Sequence, residues 1–220
     1  MSWLSGVTLP ILRGPLAGRR WLLASRINFL LGTYEPEQTR AFQRTIRPGD
    51  VVYDVGAHYG YYTLLSSALA GPSGKIFAFE PSPKNIARLQ KHVRINHCGN
   101  VTILELALSD REGTARFDNQ AGSGTAHLSP EGTLEVQITS LDLVAARLPA
   151  PRVLKIDCEG AEVEVLRGGE TTIRSAKPAI FLSTHGDALK AACLRMLQSW
   201  GYSPCQLHGD DYLLTCAAAR

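Results

Sequence analysis

The sequence contains no apolar run long enough to span a membrane. A spanning helix needs roughly 20 consecutive apolar residues. Four arginines interrupt the apolar stretches near the start of the chain: Arg13, Arg19, Arg20 and Arg26. No short apolar segment is followed by a small-residue cleavage site of the kind that ends a secretory signal. These absences predict a cytoplasmic protein without stable membrane insertion.

The sequence also lacks a strong charge of either sign and any paired cysteine motif. Its 23 Lys and Arg residues against 20 Asp and Glu residues give a formal net charge of +3, whereas a nucleic-acid-binding domain carries a basic stripe. The five cysteines are an odd number and include no C-x-x-C pair, so neither a disulfide framework nor a zinc site is predicted. We therefore expect no nucleic-acid partner and reduced cysteines.

The first 35 residues differ from the rest of the chain because they are basic and apolar and hold no acidic residue before Glu35. Such a segment lies on a membrane surface or covers its own domain. Its large apolar side chains favour the second arrangement: Trp3, Leu4, Trp21, Leu22 and Leu23. We expect an N-terminal helical cap over residues 1–35, named the leader, and one domain over 36–220.

The remaining chain alternates between strand-like and helix-like segments. Apolar strands are predicted at residues 51–55, 75–79, 101–108, 153–156 and 179–182. Helical periodicity precedes and separates them, at residues 36–46, 61–69, 82–96, 141–148, 162–166 and 188–200. This alternation predicts parallel strands joined by right-handed crossovers, and a polar turn between 202–207 and 212–216 predicts a terminal hairpin. The expected fold class is α/β, a Rossmann-like doubly wound, mostly parallel seven-stranded sheet with a C-terminal antiparallel hairpin.

The strongest local motif follows the first of these strands. Asp54 is followed by Gly56 and Gly60, and the segment opens a helix. The two glycines let the backbone turn sharply and approach a ligand closely. A dinucleotide fold carries G-x-G-x-x-G here to hold a pyrophosphate, whereas this chain has G-x-x-x-G with an acid two residues before the first glycine. An acidic residue there repels phosphate and suits a cation.

A second acidic residue ends the next predicted strand. Glu80 lies 20 residues after Gly60, where a carboxylate can accept hydrogen bonds from both hydroxyls of a ribose. A ribose without phosphate beside a cationic head group describes S-adenosyl-L-methionine, which becomes S-adenosyl-L-homocysteine when its methyl group leaves. The sequence therefore predicts this cofactor.

These motifs and three others resemble the FkbM family of class I S-adenosylmethionine-dependent methyltransferases. The resemblance rests on segments in the order of the predicted strands: Gly32-Thr-Tyr-Glu35, Pro48-Gly-Asp-Val-Val-Tyr-Asp-Val-Gly-Ala-His-Tyr-Gly-Tyr-Tyr62, Phe79-Glu-Pro81, Ala107-Leu-Ser-Asp110 with Gly113, and Lys155-Ile-Asp-Cys-Glu-Gly-Ala-Glu162 with Val165-Leu-Arg-Gly168. It implies the class I methyltransferase fold and O-methylation. The implied acceptor is a hydroxyl of a small molecule or glycan, on a sugar or a secondary metabolite.

The resemblance also implies where the cofactor binds. The methionyl part is expected on the glycine turn, the ribose at Glu80, and the adenine edge on the backbone after the third strand. Leu106 and Ala107, at that third position, are equally compatible with ordinary packing at a strand end. The expected cofactor-binding residues are Asp54, Gly56, Ala57, His58, Tyr59, Gly60, Glu80, Pro81, Ser82, Leu106, Ala107 and Asp157.

Methyl transfer to a hydroxyl needs the acceptor oxygen held about 3 Å from the methyl carbon and the hydroxyl proton removed. Asp157 ends the fourth main strand and His185 follows the fifth, at the edge where ligands bind in an open α/β sheet. An unperturbed imidazole titrates at about pH 6.5 and an aspartate at about 3.9. We therefore expect His185 to take the proton and Asp157 to orient the acceptor or the cofactor's ammonium group. The alternative for His185 is a hydrogen bond to a loop carbonyl.

No divalent metal is expected. The FkbM pattern usually has a glutamate two residues before this histidine, and this chain has Ser183 there. Asp157 and His185 alone make a poor cage for Mg²⁺, which prefers several oxygen ligands. Four other histidines are expected on solvated surfaces: His92, His97, His127 and His208.

Two other functions fit part of the pattern. An NAD-binding Rossmann oxidoreductase shares the alternation of strands and helices but lacks the glycine spacing and the terminal hairpin of this chain. A non-catalytic S-adenosylmethionine-binding module is left open by Ser183, although Asp54, Glu80 and Asp157 are all present. We expect the acceptor to be chosen by the leader and by a polar, glycine-rich loop at residues 119–125.

Overall fold

A computed structural model describes residues 6–23, 27–118 and 127–216. The strands in these residues are β1 (Thr8–Pro10), β2 (Arg20–Leu22), β3 (Val51–Val55), β4 (Lys75–Phe79), β5 (Val101–Leu104), β6 (Ala107–Ser109), β7 (Gly113–Asp118), β8 (His127–Leu128), β9 (Leu134–Ser140), β10 (Val153–Ile156), β11 (Ala179–Ser183), β12 (Tyr202–His208) and β13 (Asp211–Cys216). The helices are α1 (Ile27–Leu31), α2 (Pro36–Thr45), α3 (Tyr61–Ala70), α4 (Pro83–Ile95), α5 (Leu141–Ala145), α6 (Glu162–Gly168), α7 (Glu170–Ala176) and α8 (Asp187–Ser199).

The main sheet of the described chain has seven strands in the order β12-β13-β11-β10-β3-β4-β5. The five strands from β11 to β5 run parallel, and β13 is antiparallel to both of its neighbours. The predicted fold class is therefore confirmed. After β3 the chain continues to β4 on one side, and after β10 it continues to β11 on the other. Ligands bind at such a reversal, outside the carboxyl ends of the strands.

The central strands are buried on both faces, which is why they form continuous apolar runs in the sequence. On one face Val52 and Phe181 pack with α3 and the leader. On the other, Tyr53 and Leu154 pack with Leu166 of α6. Because a core lies on each side of these strands, the polar residues just beyond their ends have fixed positions.

The chain leaves the main sheet earlier than the predicted strand 101–108. β5 ends at Leu104, and Ala107 begins β6 in a second sheet ordered β6-β9-β7-β8. A tight turn separates them, since Leu106 donates its N–H to the Leu104 carbonyl at 2.9 Å. β6 pairs with β9, with Ala107 opposite Ile138. This is a long-range contact that local periodicity does not reveal. Strand β9 and helix α7 are not among the predicted elements, and loop 119–125 lies outside the described residues.

The described part of the leader packs on the domain. β1 and β2 pair antiparallel, and the Trp21 ring is fully buried and stacked on His92, with 3.8 Å between ring centroids. The ring of Phe29 in α1 lies 4.9 Å from that of Trp21. Residues 1–5, with Trp3 and Leu4, lie outside the described chain. No helix among the described residues is long and apolar enough to cross a membrane.

Two sequence-based expectations about this region are wrong. The described leader is a β-hairpin followed by the short helix α1, not a helical cap, because Pro10 ends β1 and Gly14, Pro15 and Gly18 interrupt the segment between β1 and β2. His92 is not solvated, since the leader covers its ring and leaves it 0 % exposed.

Acidification is expected to weaken the fold through His92. Burial lowers the pKa of this ring to about 4, its hydrogen bond to Tyr59 opposes the shift, and the charges of Lys91 and Arg88 lower the pKa further. An unfolded histidine titrates at about 6.5. Between these two values the unfolded state binds more protons, so the free energy of unfolding falls as pH falls. The loss between pH 6.5 and 4.5 is about 2 kcal/mol.

Urea unfolding at the two pH values measures this loss. His92→Gln should reduce the loss of unfolding free energy between these pH values by about 2 kcal/mol, while the same change at the exposed His97 should leave that loss as it is in wild type. Identical pH dependence in wild type and His92→Gln would contradict the assignment.

Candidate active site

The turn between β3 and α3 brings three strand ends together. Gly56 and Gly60 have φ of 77° and 90°, in the left-handed region that favours glycine. A Cβ on Gly56 would stand 1.8 Å from the carbonyl oxygen of Asp157. The backbone N–H groups of Gly56 and Ala57 both donate to the carbonyl of Phe79 at the end of β4. Glycine at position 56 therefore lets the ends of β3 and β10 approach closely.

Glu80, which directly follows β4, accepts hydrogen bonds that hold the same turn in place. Its carboxylate is 3 % exposed. One oxygen accepts the His58 N–H at 2.8 Å, and the other accepts the Ser82 N–H at 2.9 Å and the Asn85 amide at 3.2 Å. Burial raises the pKa of Glu80, and the bonds from Ser82 and His58 oppose that rise. Ser82 is also the N-cap of α4, but its side chain makes no capping bond.

A cavity of about 430 Å³ opens where the strand order reverses. The structure brings together nine predicted site residues on its wall: Gly56, Ala57, His58, Tyr59, Glu80, Pro81, Ala107, Asp157 and His185. Four predicted residues do not border it: Asp54, Gly60, Ser82 and Leu106. Leu106 packs against the core of one sheet face instead, and Leu108 borders the cavity beside Ala107.

Lys155 links the two strands at the reversal, a role that the sequence reasoning missed. Its side chain is 3 % exposed, and Nζ lies 3.2 Å from Asp157 Oδ2 and 3.6 Å from Asp54 Oδ1. Burial alone would lower the lysine pKa, but Asp157 and Asp54 raise it above its ordinary value. Asp54 also accepts the Thr63 hydroxyl at 2.6 Å. The available signal was a lysine within an otherwise apolar strand, and the parallel register pairs it with Asp54.

His185 lies among three carboxylates. Its Nδ1 is 2.9 Å from Oε1 of the fully buried Glu162, and its Nε2 is 3.3 Å from Glu159 and 3.8 Å from Asp157. The hydrogen bond to Glu162 raises the pKa of the ring to about 9 against the effect of burial, and the charges of Glu159 and Asp157 raise it further. The ordinary imidazole value used in the sequence argument therefore does not apply, and the ring is mainly protonated at neutral pH.

One group of described residues could hold a metal ion. Asp157, Glu159 and His185 each offer a ligand atom, and these atoms lie within 4.8 Å of one another. Ser183 is not part of the group, since its hydroxyl donates to Asp211 at 2.6 Å. Counting only Asp157 and His185 thus omitted Glu159, which α6 and its preceding loop bring beside the histidine.

The leader contributes side chains to the cavity wall, which the motif analysis did not assign to the site. Phe29, Tyr34 and Glu35 border the cavity. Glu35 has a left-handed φ of 40°, uncommon for a residue other than glycine. Its carboxylate accepts the Tyr62 hydroxyl at 2.6 Å and the Gln38 amide at 2.9 Å. These bonds hold the junction of leader and domain at the site.

The sheet order defines the class of protein. β13 is antiparallel and lies between β11 and β12, and the cavity opens at the carboxyl ends of β3, β4 and β10. This is the class I methyltransferase fold. The structure is similar to the crystal structure of methyltransferase FkbM from Methylobacillus flagellatus, with a TM-score of 0.61 and 16% identity, over 80% of this chain and 50% of that one.

Residues 54–204 match the family model for the methyltransferase FkbM domain, and the chain belongs to this family. It is 32% identical over 154 residues to hexuronic acid methyltransferase AglP of Haloferax volcanii, covering 68% of this chain and 62% of that protein. It is 42% identical over 73 residues to 31-O-demethyl-FK506 methyltransferase FkbM of Streptomyces tacrolimicus, covering 33% and 27%. The chain spans less than two thirds of the length of both relatives. The resemblance seen in the motifs is confirmed.

Proposed function

We propose that this chain is an S-adenosylmethionine-dependent O-methyltransferase whose acceptor is a hydroxyl of a sugar or a secondary metabolite. The observation that carries the proposal is Glu80, a buried carboxylate bordering a cavity beside a glycine turn without phosphate-binding spacing. Family membership supports methyl transfer. The relatives' names, which specify a hexuronic acid and 31-O-demethyl-FK506, support an oxygen on a sugar or a metabolite.

The groups around the cavity fit the cofactor by their chemistry. When bound, S-adenosyl-L-methionine supplies a methyl carbon activated by a cationic sulfur. Among the described residues, Glu80 Oε2 accepts a single hydrogen bond, from the His58 N–H, so it retains an acceptor position for a ribose hydroxyl. Oε1 can accept the second hydroxyl in place of the long bond from Asn85. Asp157, 28% exposed and held by Lys155, presents a carboxylate to the cofactor's ammonium group or to the acceptor.

His185 and Asp157 are the proposed catalytic residues. Glu162 holds Nδ1 of His185, leaving Nε2 on the side of Asp157 and Glu159. A neutral His185 ring accepts the proton of the acceptor hydroxyl at Nε2, as a base oriented by a buried carboxylate does in other enzymes. Asp157 orients the hydroxyl from the neighbouring strand end.

Two measurements test the function. S-adenosyl-L-homocysteine should raise the melting temperature of the chain and NADH should not, because the turn lacks a pyrophosphate site. Transfer of labelled methyl from S-adenosyl-L-methionine to members of a panel of glycans and alcohols then tests catalysis. Protection by NADH alone would favour an oxidoreductase. Protection by S-adenosyl-L-homocysteine without transfer to any panel member would favour a binding module.

Turnover is expected to be independent of divalent metal. In the cluster of Asp157, Glu159 and His185, the protonated ring already supplies a positive charge to the two carboxylates. Methyl transfer in EDTA should therefore match transfer in added Mg²⁺. Loss of turnover in EDTA, restored by Mg²⁺, would contradict this expectation and assign a metal to the cluster.

A further inference from the structure

His92 lies between the leader and the turn from Gly56 to Gly60, named the cofactor turn. Its ring forms hydrogen bonds to both. Its ring is 0 % exposed on α4. Nε2 is 3.1 Å from the Leu22 N–H of β2, and Nδ1 is 2.7 Å from the Tyr59 carbonyl in the turn. A backbone N–H only donates and a carbonyl only accepts. The neutral tautomer that carries its proton on Nδ1 is therefore the form that satisfies both bonds.

The leader contacts the side chain of His92 on α4 and that of Asn96, one helical turn further along the chain. The Trp21 ring stacks on the His92 ring with an interplanar angle of 13°. Asn96 accepts the Arg20 N–H at 2.7 Å and donates its amide to the Arg20 carbonyl at 2.9 Å. Positions four apart share one face of a helix. His92 and Asn96 therefore bind the edge of β2 that faces away from β1, as a neighbouring strand would.

The other bond of His92 reaches a turn whose backbone is irregular. His58 has a left-handed φ of 53° and lies between Gly56 and Gly60, which are also left-handed. Glu80 holds this turn at the His58 N–H, and His92 holds it one residue later at the Tyr59 carbonyl. Tyr59 itself borders the cavity. The turn is thus held at His58 by Glu80, which follows β4, and at Tyr59 by His92 of α4.

We propose that His92 is a positioning residue that couples the leader to the cofactor turn, so that docking of the leader strengthens binding of S-adenosyl-L-methionine. The inference rests on the proposed function, because that assigns the turn to this cofactor. His92 does not border the cavity and acts through the Tyr59 backbone. The leader thereby contributes to the cofactor site as well as covering the domain.

Calorimetry of the full chain with S-adenosyl-L-homocysteine tests the coupling. His92→Leu removes both bonds of the ring and should weaken binding about ten-fold. His92→Asn places an amide nitrogen near the position of Nδ1, where it can donate to the Tyr59 carbonyl, and should recover most of that affinity. His97→Gln, a change at an exposed histidine near the end of the same helix, is the matched control and should leave binding unchanged.

A double-mutant cycle separates coupling from a merely structural role. Asn96→Ala releases Arg20 of the leader without touching the cofactor turn, and should weaken binding about three-fold. In the His92→Leu background the same change should have no further effect, because the leader acts on the turn through His92. Additive effects, or wild-type affinity in His92→Leu, would overturn the coupling. If His92→Leu fails to fold, the cycle is run with His92→Gln.

Nitrogen-15 NMR of the imidazole gives a second readout that does not depend on a variant. The spectrum should show His92 as the Nδ1–H tautomer at neutral pH, and the Nε2–H tautomer would overturn the bonding pattern. A wild-type chain that binds no S-adenosyl-L-homocysteine would overturn the proposed function and the coupling together. If wild type binds S-adenosyl-L-homocysteine and His92→Leu binds it equally well, the coupling alone is overturned.

Discussion

Glu80→Ala is expected to reduce affinity for S-adenosyl-L-homocysteine by about 10²- to 10⁴-fold. Two ribose hydrogen bonds to a charged acceptor are lost, each worth roughly 1.5 to 3 kcal/mol. The structure adds a second cause, because the carboxylate also accepts the N–H groups of His58 and Ser82. Without the carboxylate, both N–H groups lose their partner, and the turn loses a hydrogen bond that helps hold it at the end of β4.

Calorimetry with S-adenosyl-L-homocysteine measures the effect, and thermal unfolding shows whether the variant folds. Glu80→Gln keeps the size of the side chain and one acceptor oxygen, so its affinity should lie between those of wild type and Glu80→Ala. Glu105→Ala is a matched control: this acid follows the next strand, and its carboxylate accepts a hydrogen bond from the Gln90 amide. Unchanged affinity in Glu80→Ala would remove Glu80 from the cofactor site.

The main sheet and the acidic residues at its edge were predictable because they follow from local patterns. Strands buried on both faces form continuous apolar runs, and parallel strands bring their carboxyl ends to one edge. Glu80, Asp157 and His185 could therefore be placed together from their positions after three strands, and the cavity wall includes all three.

The contacts that tune the site depend on pairings between distant parts of the chain. Lys155 reaches Asp54 because β10 and β3 align in register, and no spacing within either strand reveals that alignment. Glu162 reaches His185 because α6 lies beside the end of β11. Since the hydrogen bond to Glu162 is the main cause of the raised pKa of the imidazole, the predicted base was assigned an ordinary pKa that the folded site does not preserve.

His92 shows a signal that was present in the sequence but was misread. It lies three residues after the buried Leu89 and four before Asn96, so helical spacing places all three on one face of α4. A polar residue on such a face was interpreted as solvated because the surface that covers it comes from the leader. The leader's own bonds to α4 span about 70 residues of sequence, as Leu22 to His92 does, which is beyond any local pattern.

His185→Ala is expected to lower kcat by about 10²- to 10⁴-fold, the range for removal of a general base. Affinity for S-adenosyl-L-homocysteine should stay near wild type, because the base acts on the acceptor in the transition state and not on cofactor binding. Single-turnover transfer with a reactive acceptor from the panel measures the first effect, and calorimetry measures the second. His208→Gln, at an exposed histidine, is the control and should keep full activity.

The raised pKa of His185 predicts the shape of the pH profile. A base works in its neutral form, and the hydrogen bond to Glu162 shifts loss of the ring proton up to about pH 9. Activity should therefore rise with pH through the range from 6.5 to 9, and His185→Ala should lose this rise. Glu162→Gln removes the main cause of the shift, so the rise in its activity should move to lower pH.

A His185→Ala variant with full kcat would exclude His185 as the base. Loss of cofactor binding together with activity would make His185 a binding element, and Asp157, held by Lys155 at the neighbouring strand end, would become the leading base.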